Sequence, residues 1–152
     1  MAEFWAALGK NVILISALTA WACAQVLKTI TAFWKYETFK AERLFGSGGM
    51  PSSHTALVVG LASSVAFHEG LSSPLFAVCV VLASIVMYDA AGVRRAAGKQ
   101  ARVLNKLVQE LKAEHTVHDT RLKELLGHTP LEVWAGAILG LVIAYLFSLL
   151  YR

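Results

Sequence analysis

The chain has 152 residues, a length that suits one domain, and we expect residues 1–152 to form a single domain. Its hydrophobic fraction of 57% and its mean hydropathy of +0.57 exclude an ordinary soluble domain and favour a membrane protein. The net charge of +4 suits anionic lipid, and no segment has the pattern of a folded nucleic-acid module, so we expect no nucleic-acid partner.

The apolar residues form four blocks, at 12–34, 55–67, 75–91 and 133–150. A membrane span needs roughly 20 residues, and the second block approaches this length only if residues 51–54 form its polar first turn. Spans must satisfy their backbone groups internally, which favours helices. No basic region or cleavage site marks the first block as a signal peptide, so we interpret it as a retained span. The sequence predicts an all-α integral membrane bundle of about four transmembrane helices.

Two of the connecting segments have recognisable patterns. A short segment with Gly70 and Pro74 separates the second and third blocks and predicts a tight helix hairpin. The longest polar segment, 92–127, contains apolar residues at helical spacing. These residues are Leu104, Leu107, Val108 and Leu111. They predict an amphipathic cytoplasmic helix, lying on the membrane surface or packed on the end of the bundle.

The basic residues are concentrated in two of these connections. Of the 14 Lys and Arg residues, three follow the first block and eight follow the third, whereas the hairpin contains none. With four spans, both basic segments lie on one side, which the positive-inside rule makes the cytoplasm. We therefore expect any site built from these segments to open at the cytoplasmic face.

The stretch GSGGMPSSH, at 46–54, brings polar groups to the start of the second block. Gly49 permits a tight turn, and Ser52 suits a helix start, whose N–H groups and dipole attract an anion. The hydroxyls of Ser52 and Ser53 could add donors, and His54 could protonate a leaving oxygen. The alternative is a plain glycine-rich loop, a capped helix and a histidine satisfied by a neighbouring helix.

The stretch GHTPLEVWAG, at 127–136, has two interpretations. His128 and Glu132 are four residues apart, so they share a helix face, and the carboxylate could fix the imidazole as a nucleophile. Thr129 and Glu132 also have the spacing of a capping box, with Pro130 at the first helical position. The two interpretations are not exclusive.

Several charged residues lie at the ends of the other blocks. Arg94 and Arg95 could hold phosphate oxygens or act only as a positive-inside stop signal. Asp89 could brace an arginine or ligate a metal, and Lys28 could reach a phosphate or snorkel to the interface. The histidines at 115–119 have metal-like spacing, but no other ligand cluster is near, so we interpret them as part of a solvated loop and predict no metal site.

These motifs resemble the phosphatidic acid phosphatase type 2 superfamily. PSSH is similar to its second motif, Pro-Ser-Gly-His, and His128-x-x-x-Glu132 followed by VWAG is similar to the end of its third motif. The longer stretches GGMPSSHTA, YDAAGVRRAAGKQA-x-x-LN and KELLGHTP-x-EV-x-AG resemble the small divergent branch of this superfamily, found in bacterial and plant membrane proteins. The resemblance covers residues 25–145.

The resemblance implies a metal-independent phosphatase that works through a phosphohistidine. His128 would be the nucleophile, Glu132 its orienting carboxylate and His54 the acid for the leaving group. Ser52 and Ser53, with nearby backbone N–H groups, would bind the phosphate.

The chain departs from the superfamily pattern in several places. Lys28 fits the first motif, but no Arg-Pro follows it, and Leu122 stands where the third motif has its arginine. Ser53 replaces a glycine, and four spans replace the usual six. We expect Arg94 or Arg95 to supply the missing guanidinium.

The leading hypothesis is a phosphoric monoester hydrolase that acts on a membrane lipid, with phosphatidylglycerophosphate, converted to phosphatidylglycerol, as the first substrate. Phosphatidic acid or a polyprenyl phosphate or diphosphate is the alternative substrate. The rival class is a non-catalytic membrane protein that binds anionic lipid. We expect no cofactor, with Mg²⁺ as a less favoured alternative, and the sequence leaves homo-oligomerisation open.

Overall fold

The computed structural model describes residues 1–36, 49–112 and 127–151. These residues form six α-helices and, within those ranges, no strand. The helices are α1 (Ala2–Lys10), α2 (Val12–Tyr36), α3 (Ser53–Glu69), α4 (Pro74–Ala91), α5 (Val93–Lys112) and α6 (Pro130–Leu150). The all-α prediction is confirmed, whereas the short α1 was not predicted.

Local chemistry sets the boundaries of three of these helices. Ser52, Ser73 and Thr129 are the N-caps of α3, α4 and α6, and each side chain accepts a backbone N–H of its own first turn. α3 ends at Gly70, whose positive φ of 85° favours glycine. Gly92 separates α4 from the predicted amphipathic helix, which is α5.

The predicted number of four membrane-spanning helices is only partly matched. Within residues 1–36, 49–112 and 127–151, three stretches are long and apolar enough to cross a membrane: Val12–Trp34, Pro74–Glu110, which contains α4, and Pro130–Leu150. α3 has only 17 residues, because the Ser52 cap and Gly70 set its two ends. The count of four is therefore not confirmed. α3 is instead the most enclosed helix, which allows it to bury polar residues such as Thr55 and Ser64.

α3 lies at the centre of the bundle and packs against α2, α4 and α6, and α2 also packs against α6. α3 and α6 run parallel, because Gly136 lies over Ser52 while Gly140 lies over Ala56. α2 runs antiparallel to α3. The start of α3, the start of α6 and the end of α2 therefore meet at one end of the bundle, here named the motif end. The opposite end, at the turn between α3 and α4, is the hairpin end.

Glycine permits the close approach of α3 and α6. A Cβ atom on Gly140 would lie 2.6 Å from the carbonyl oxygen of Ala56 and 2.8 Å from the amide nitrogen of Gly60. A Cβ atom on Gly136 would overlap the carbonyl oxygen of Ser52. The two backbones are therefore in direct contact, as small residues allow between helices in lipid. Residues of α2 extend this small-residue core, with Ala20 and Ala24 packed on Ala56.

Candidate active site

Backbone hydrogen bonds join three chain segments at the motif end. The N–H group of Ser52 donates to the carbonyl of Glu132 (3.0 Å), which connects the start of α3 to the first turn of α6. The N–H group of His128 donates to the carbonyl of Ala90 (3.0 Å), which connects the segment before α6 to the end of α4. The predicted site residues on α3, α4 and α6 are thus brought to one place.

Lys28 joins this place from α2. It is only 5% exposed, and its stem lies under Gly49, where a Cβ atom would be 3.2 Å from Lys28 Cγ. Gly49 has φ of 97°, so both its backbone conformation and its contact with the lysine require glycine. The Thr31 hydroxyl donates to the Met50 carbonyl (2.7 Å) and fixes the same loop to α2. The loop therefore covers Lys28 at the end of the bundle.

The two predicted serines are buried at the start of α3, whereas His54 is exposed. Ser52 Oγ accepts from the Thr55 N–H (3.4 Å) and from the Thr55 hydroxyl (3.0 Å). Ser52 is thus the helix cap, and its own hydroxyl hydrogen is the group that it could offer to a ligand. Ser53 is 3% exposed and occupies the first helical position.

One carboxylate serves both interpretations of the GHTPLEVWAG stretch. Glu132 Oε2 lies 3.1 Å from His128 Nδ1, and the same oxygen accepts the Thr129 N–H (3.0 Å). The Glu132 N–H donates to Thr129 Oγ1 (3.4 Å), which completes the capping box. His128 is 3% exposed, so this contact holds an enclosed ring. A proton on Nδ1, donated to the carboxylate, leaves the lone pair on Nε2.

The motif end contains groups that could bind an anion. Two parallel helices, α3 and α6, begin here, and each N-terminus carries a partial positive charge with N–H groups that have no intrahelical acceptor. Lys28 adds an amino group from α2 that carries a positive charge when protonated. Buried cations and helix N-termini together suit a phosphate group.

The remaining predicted residues are placed less completely. Asp89 is partly buried in the last turn of α4, one residue before Ala90. Arg94 and Arg95 lie in the first turn of α5, but their side chains, like Gly46, Gly48 and the histidines at 115–119, lie outside the described residues. In the part of the chain that the structure describes, no group of three or more His, Cys, Asp or Glu residues could hold a metal ion.

Sequence reasoning missed four contributors to this arrangement: the Thr31 hydroxyl, the Ala90 carbonyl, the Thr55 hydroxyl and the Gly136 contact with Ser52. A carbonyl has no sequence signal, because every residue carries one. Gly136 was visible in the VWAG stretch, but its role depends on which helix lies opposite. Thr31 lies one turn after Lys28, and that spacing alone could have marked it.

The fold and the site together define an α-helical integral membrane protein in which the buried His128, its partner Glu132, the buried Lys28 and the starts of α3 and α6 lie at one end of the bundle. The chain belongs to the Divergent PAP2 family, whose sequence profile matches residues 9–143. The predicted resemblance to a divergent branch of the phosphatidic acid phosphatase type 2 (PAP2) superfamily is thereby confirmed.

The chain is similar to the membrane protein YuiD of Bacillus subtilis (strain 168), described as uncharacterized. The two are 43% identical over 152 aligned positions, which cover 90% of this chain and 96% of the relative. No solved structure matches the chain.

Proposed function

We propose that this protein is a membrane lipid phosphatase that hydrolyses a phosphomonoester through a phosphohistidine. The observation that carries the proposal is the 3.1 Å contact between His128 Nδ1 and Glu132 Oε2, beside the start of α3. A protein that only binds anionic lipid needs cations and N–H donors. It has no need of a buried imidazole held by a carboxylate, and this favours the enzyme over the non-catalytic rival.

In the first step, Nε2 of His128 attacks the phosphorus atom, and the bond between phosphorus and the lipid oxygen breaks. His54 gives its proton to the departing alkoxide, so the lipid leaves as an alcohol. Glu132 stabilises the positive charge that develops on the His128 ring. Lys28, the Ser52 and Ser53 hydroxyls and the N–H groups of α3 stabilise the phosphoryl oxygens.

In the second step, water attacks the phosphohistidine. His54, now neutral, takes a proton from the water, and the bond between Nε2 and phosphorus breaks to release inorganic phosphate. No step uses a metal ion, and Arg94 or Arg95 supplies the guanidinium that the third motif lacks. The proposed substrate is phosphatidylglycerophosphate at the cytoplasmic face, with phosphatidic acid and polyprenyl phosphates as alternatives.

The test is phosphate release by the purified protein from a panel of these lipid phosphates, with and without EDTA. His128→Ala is the test variant, and His68→Ala, an exposed histidine at the hairpin end, is the control. We expect release that persists in EDTA, is retained in His68→Ala and is lost in His128→Ala. If EDTA abolished phosphate release, the reaction would depend on a metal ion, and Asp89 would be the first candidate ligand to examine.

The non-catalytic rival has its own outcome in the same experiment. If no lipid phosphate is hydrolysed, and His128→Ala still binds anionic vesicles as well as the unmodified protein does, the enzyme proposal fails. The chain would then be a membrane protein that binds anionic lipid through Lys28 and the helix N-termini.

A further inference from the structure

An apolar groove of about 450 Å³ runs along the side of the bundle. α3 forms its floor, α4 forms one wall, and Leu141 of α6 lies opposite. Its lining extends from Val59 to Phe67 on α3 and from Phe76 to Met87 on α4. The groove therefore follows most of the length of both helices, and its α4 wall belongs to a stretch that is long and apolar enough to cross a membrane.

Small side chains create this groove. Ala62, Ser63 and Ala66 form much of its floor, Ala83 and Ser84 lie in the wall, and α4 and α6 barely touch each other. The Ser84 hydroxyl donates to the Val80 carbonyl of its own helix (2.8 Å), so it is satisfied without a ligand. The lining is otherwise dominated by apolar side chains, and an apolar space open to lipid is filled by hydrocarbon rather than by water.

One end of the groove meets the candidate active site. Met87 lies three residues before Ala90, about 4.5 Å along the helix axis, and the Ala90 carbonyl accepts the His128 N–H. Val59 lies four residues after Thr55, about 6 Å along α3. The segment that carries His128 therefore crosses from α4 to α6 at the motif end of the groove.

Aromatic rings mark the other end. Phe67 and Phe76 line the groove near the hairpin end, and the Phe67 ring packs edge-on against Tyr145 of α6, with 6.0 Å between the ring centroids. The groove thus has one end beside the candidate active site and an apolar end lined by aromatic rings. A molecule that fits both ends has an anionic head and a single hydrocarbon chain of limited length along α3.

We propose that this groove binds one hydrocarbon chain of the lipid phosphate and so places the phosphate group at His128. This proposal rests on the proposed function. Because the hydrocarbon chain of the lipid moves from the bilayer interior into an apolar groove, its binding there contributes little hydrophobic free energy. Its effect is positional: it fixes the depth and direction from which the phosphate reaches Nε2, and small misplacements at a reacting centre are costly.

The test compares two tryptophan variants of neighbouring residues on α4. Ser84→Trp fills the groove, whereas Ile85→Trp adds the same ring at a position that is 61% exposed and outside the groove. Both are assayed with a long-chain phosphatidylglycerophosphate and with an analogue that carries two butyryl chains. We expect Ser84→Trp to lower kcat/KM for the long-chain lipid by about tenfold to a hundredfold, because it displaces the chain. The short-chain analogue and Ile85→Trp should show little change.

Equal kcat/KM values for the two variants on the long-chain lipid would overturn the proposed role of the groove. They would leave the proposed phosphatase activity standing. A similar fall in the kcat/KM of Ser84→Trp for the short-chain analogue would also overturn the proposed role of the groove. Conversion of an oligomer to a monomer by Ser84→Trp, seen by light scattering in detergent, would assign the groove to a second copy of this chain and overturn the proposal.

A binding measurement on the unmodified protein separates the groove from catalysis. The probe is phosphatidylglycerophosphate with a diazirine at the end of one acyl chain, photolysed in bilayers that contain the protein. We expect adducts on the peptides that carry Ala66 and Phe76, reduced by excess unlabelled lipid. Adducts confined to the exposed side of α4, such as Val81, would overturn the proposal, whether or not the protein hydrolyses the lipid.

Discussion

Glu132 Oε2 accepts two hydrogen bonds at once, from His128 Nδ1 and from the Thr129 N–H. The first holds the proposed nucleophile, and the second belongs to the cap of α6. Because one oxygen makes both contacts, removal of the carboxylate would damage the ring orientation and the helix start together. The two roles can be separated by one substitution that changes the carboxylate and a second that changes Thr129.

Glu132→Gln and Thr129→Ala form such a pair. The glutamine keeps an oxygen acceptor for the cap but removes the charge that stabilises a positive imidazole, so we expect kcat to fall by about 10²–10⁴-fold with little loss of stability. The alanine removes the acceptor for the Glu132 N–H, so we expect a loss of about 1 kcal/mol in the free energy of unfolding and nearly normal turnover. Phosphate release and thermal unfolding in detergent measure the two effects. Normal turnover in Glu132→Gln would assign the carboxylate to the cap alone.

Gly49 and Lys28 provide a second test at this scale. Gly49→Ala places a methyl group against the lysine stem and strains a backbone with φ of 97°. Gly70→Ala introduces comparable strain, with φ of 85°, where no atom lies within 4 Å of the new methyl group. Both should lose about 1–2 kcal/mol of stability. We expect only Gly49→Ala to raise the concentration of inorganic phosphate needed for half-inhibition. Equal inhibition of the two variants would show that the loop does not position Lys28.

At the scale of helices, the parallel contact of α3 and α6 depends on glycine backbones. Gly140→Ala should push the two helices apart, because its Cβ would lie 2.6 Å from the Ala56 oxygen. We expect a loss of about 1–3 kcal/mol, measured as a lower Tm in detergent. Gly9→Ala is the control, since nothing lies within 4 Å of its added methyl group. An unchanged Tm in Gly140→Ala would mean that the helices approach less closely than described.

The helices themselves were largely predictable, and their mutual arrangement was not. The apolar blocks gave α2, α4 and α6 to within a few residues, because continuous apolar stretches and the Ser73 and Thr129 caps are local signals. The pairing of α3 with α6 has no such signal, since lipid-facing and protein-facing positions are both apolar and periodicity cannot separate them.

Within the site, the same division holds. The spacing of His128 and Glu132 predicted a contact on one helix face; the contact is present, but His128 precedes the N-cap Thr129 and so lies outside α6. The contact of Gly49 with Lys28 joins the loop before α3 to α2, so neither segment's sequence predicts it alone. The fourth predicted span, α3, is not confirmed as a span, because this helix has a polar first turn and only 17 residues. The hydrophobicity of the sequence does not show that α2, α4 and α6 enclose α3.

For the whole molecule, the proposed cytoplasmic position of the motif end follows from the basic residues, and it predicts the result of cysteine labelling. In a background of Cys23→Ala and Cys79→Ala, we expect Ser72→Cys at the hairpin end and Gln109→Cys on α5 to react with an impermeant maleimide from opposite sides of the membrane. Gln109→Cys should react from the cytoplasmic side. Reaction of Gln109→Cys from the outside would place the site on the other face.

The parallel alignment of α3 and α6 also bears on how the protein is assembled. Chains enter the membrane from the N-terminus, so α2, α3 and α4 are in place before α6, the last of the six helices, is synthesised. Until then, the surface of α3 that contacts Gly136 lacks this partner, whereas the hydrogen bond between the Thr55 and Ser52 hydroxyls lies within the start of α3 and does not need α6. The early half of the molecule carries Lys28 and His54, and only the arrival of α6 brings His128. In this order of insertion, the proposed catalytic set is complete only after α6 arrives, so a partly synthesised chain would hold the proposed phosphate-binding groups before it could form a phosphohistidine.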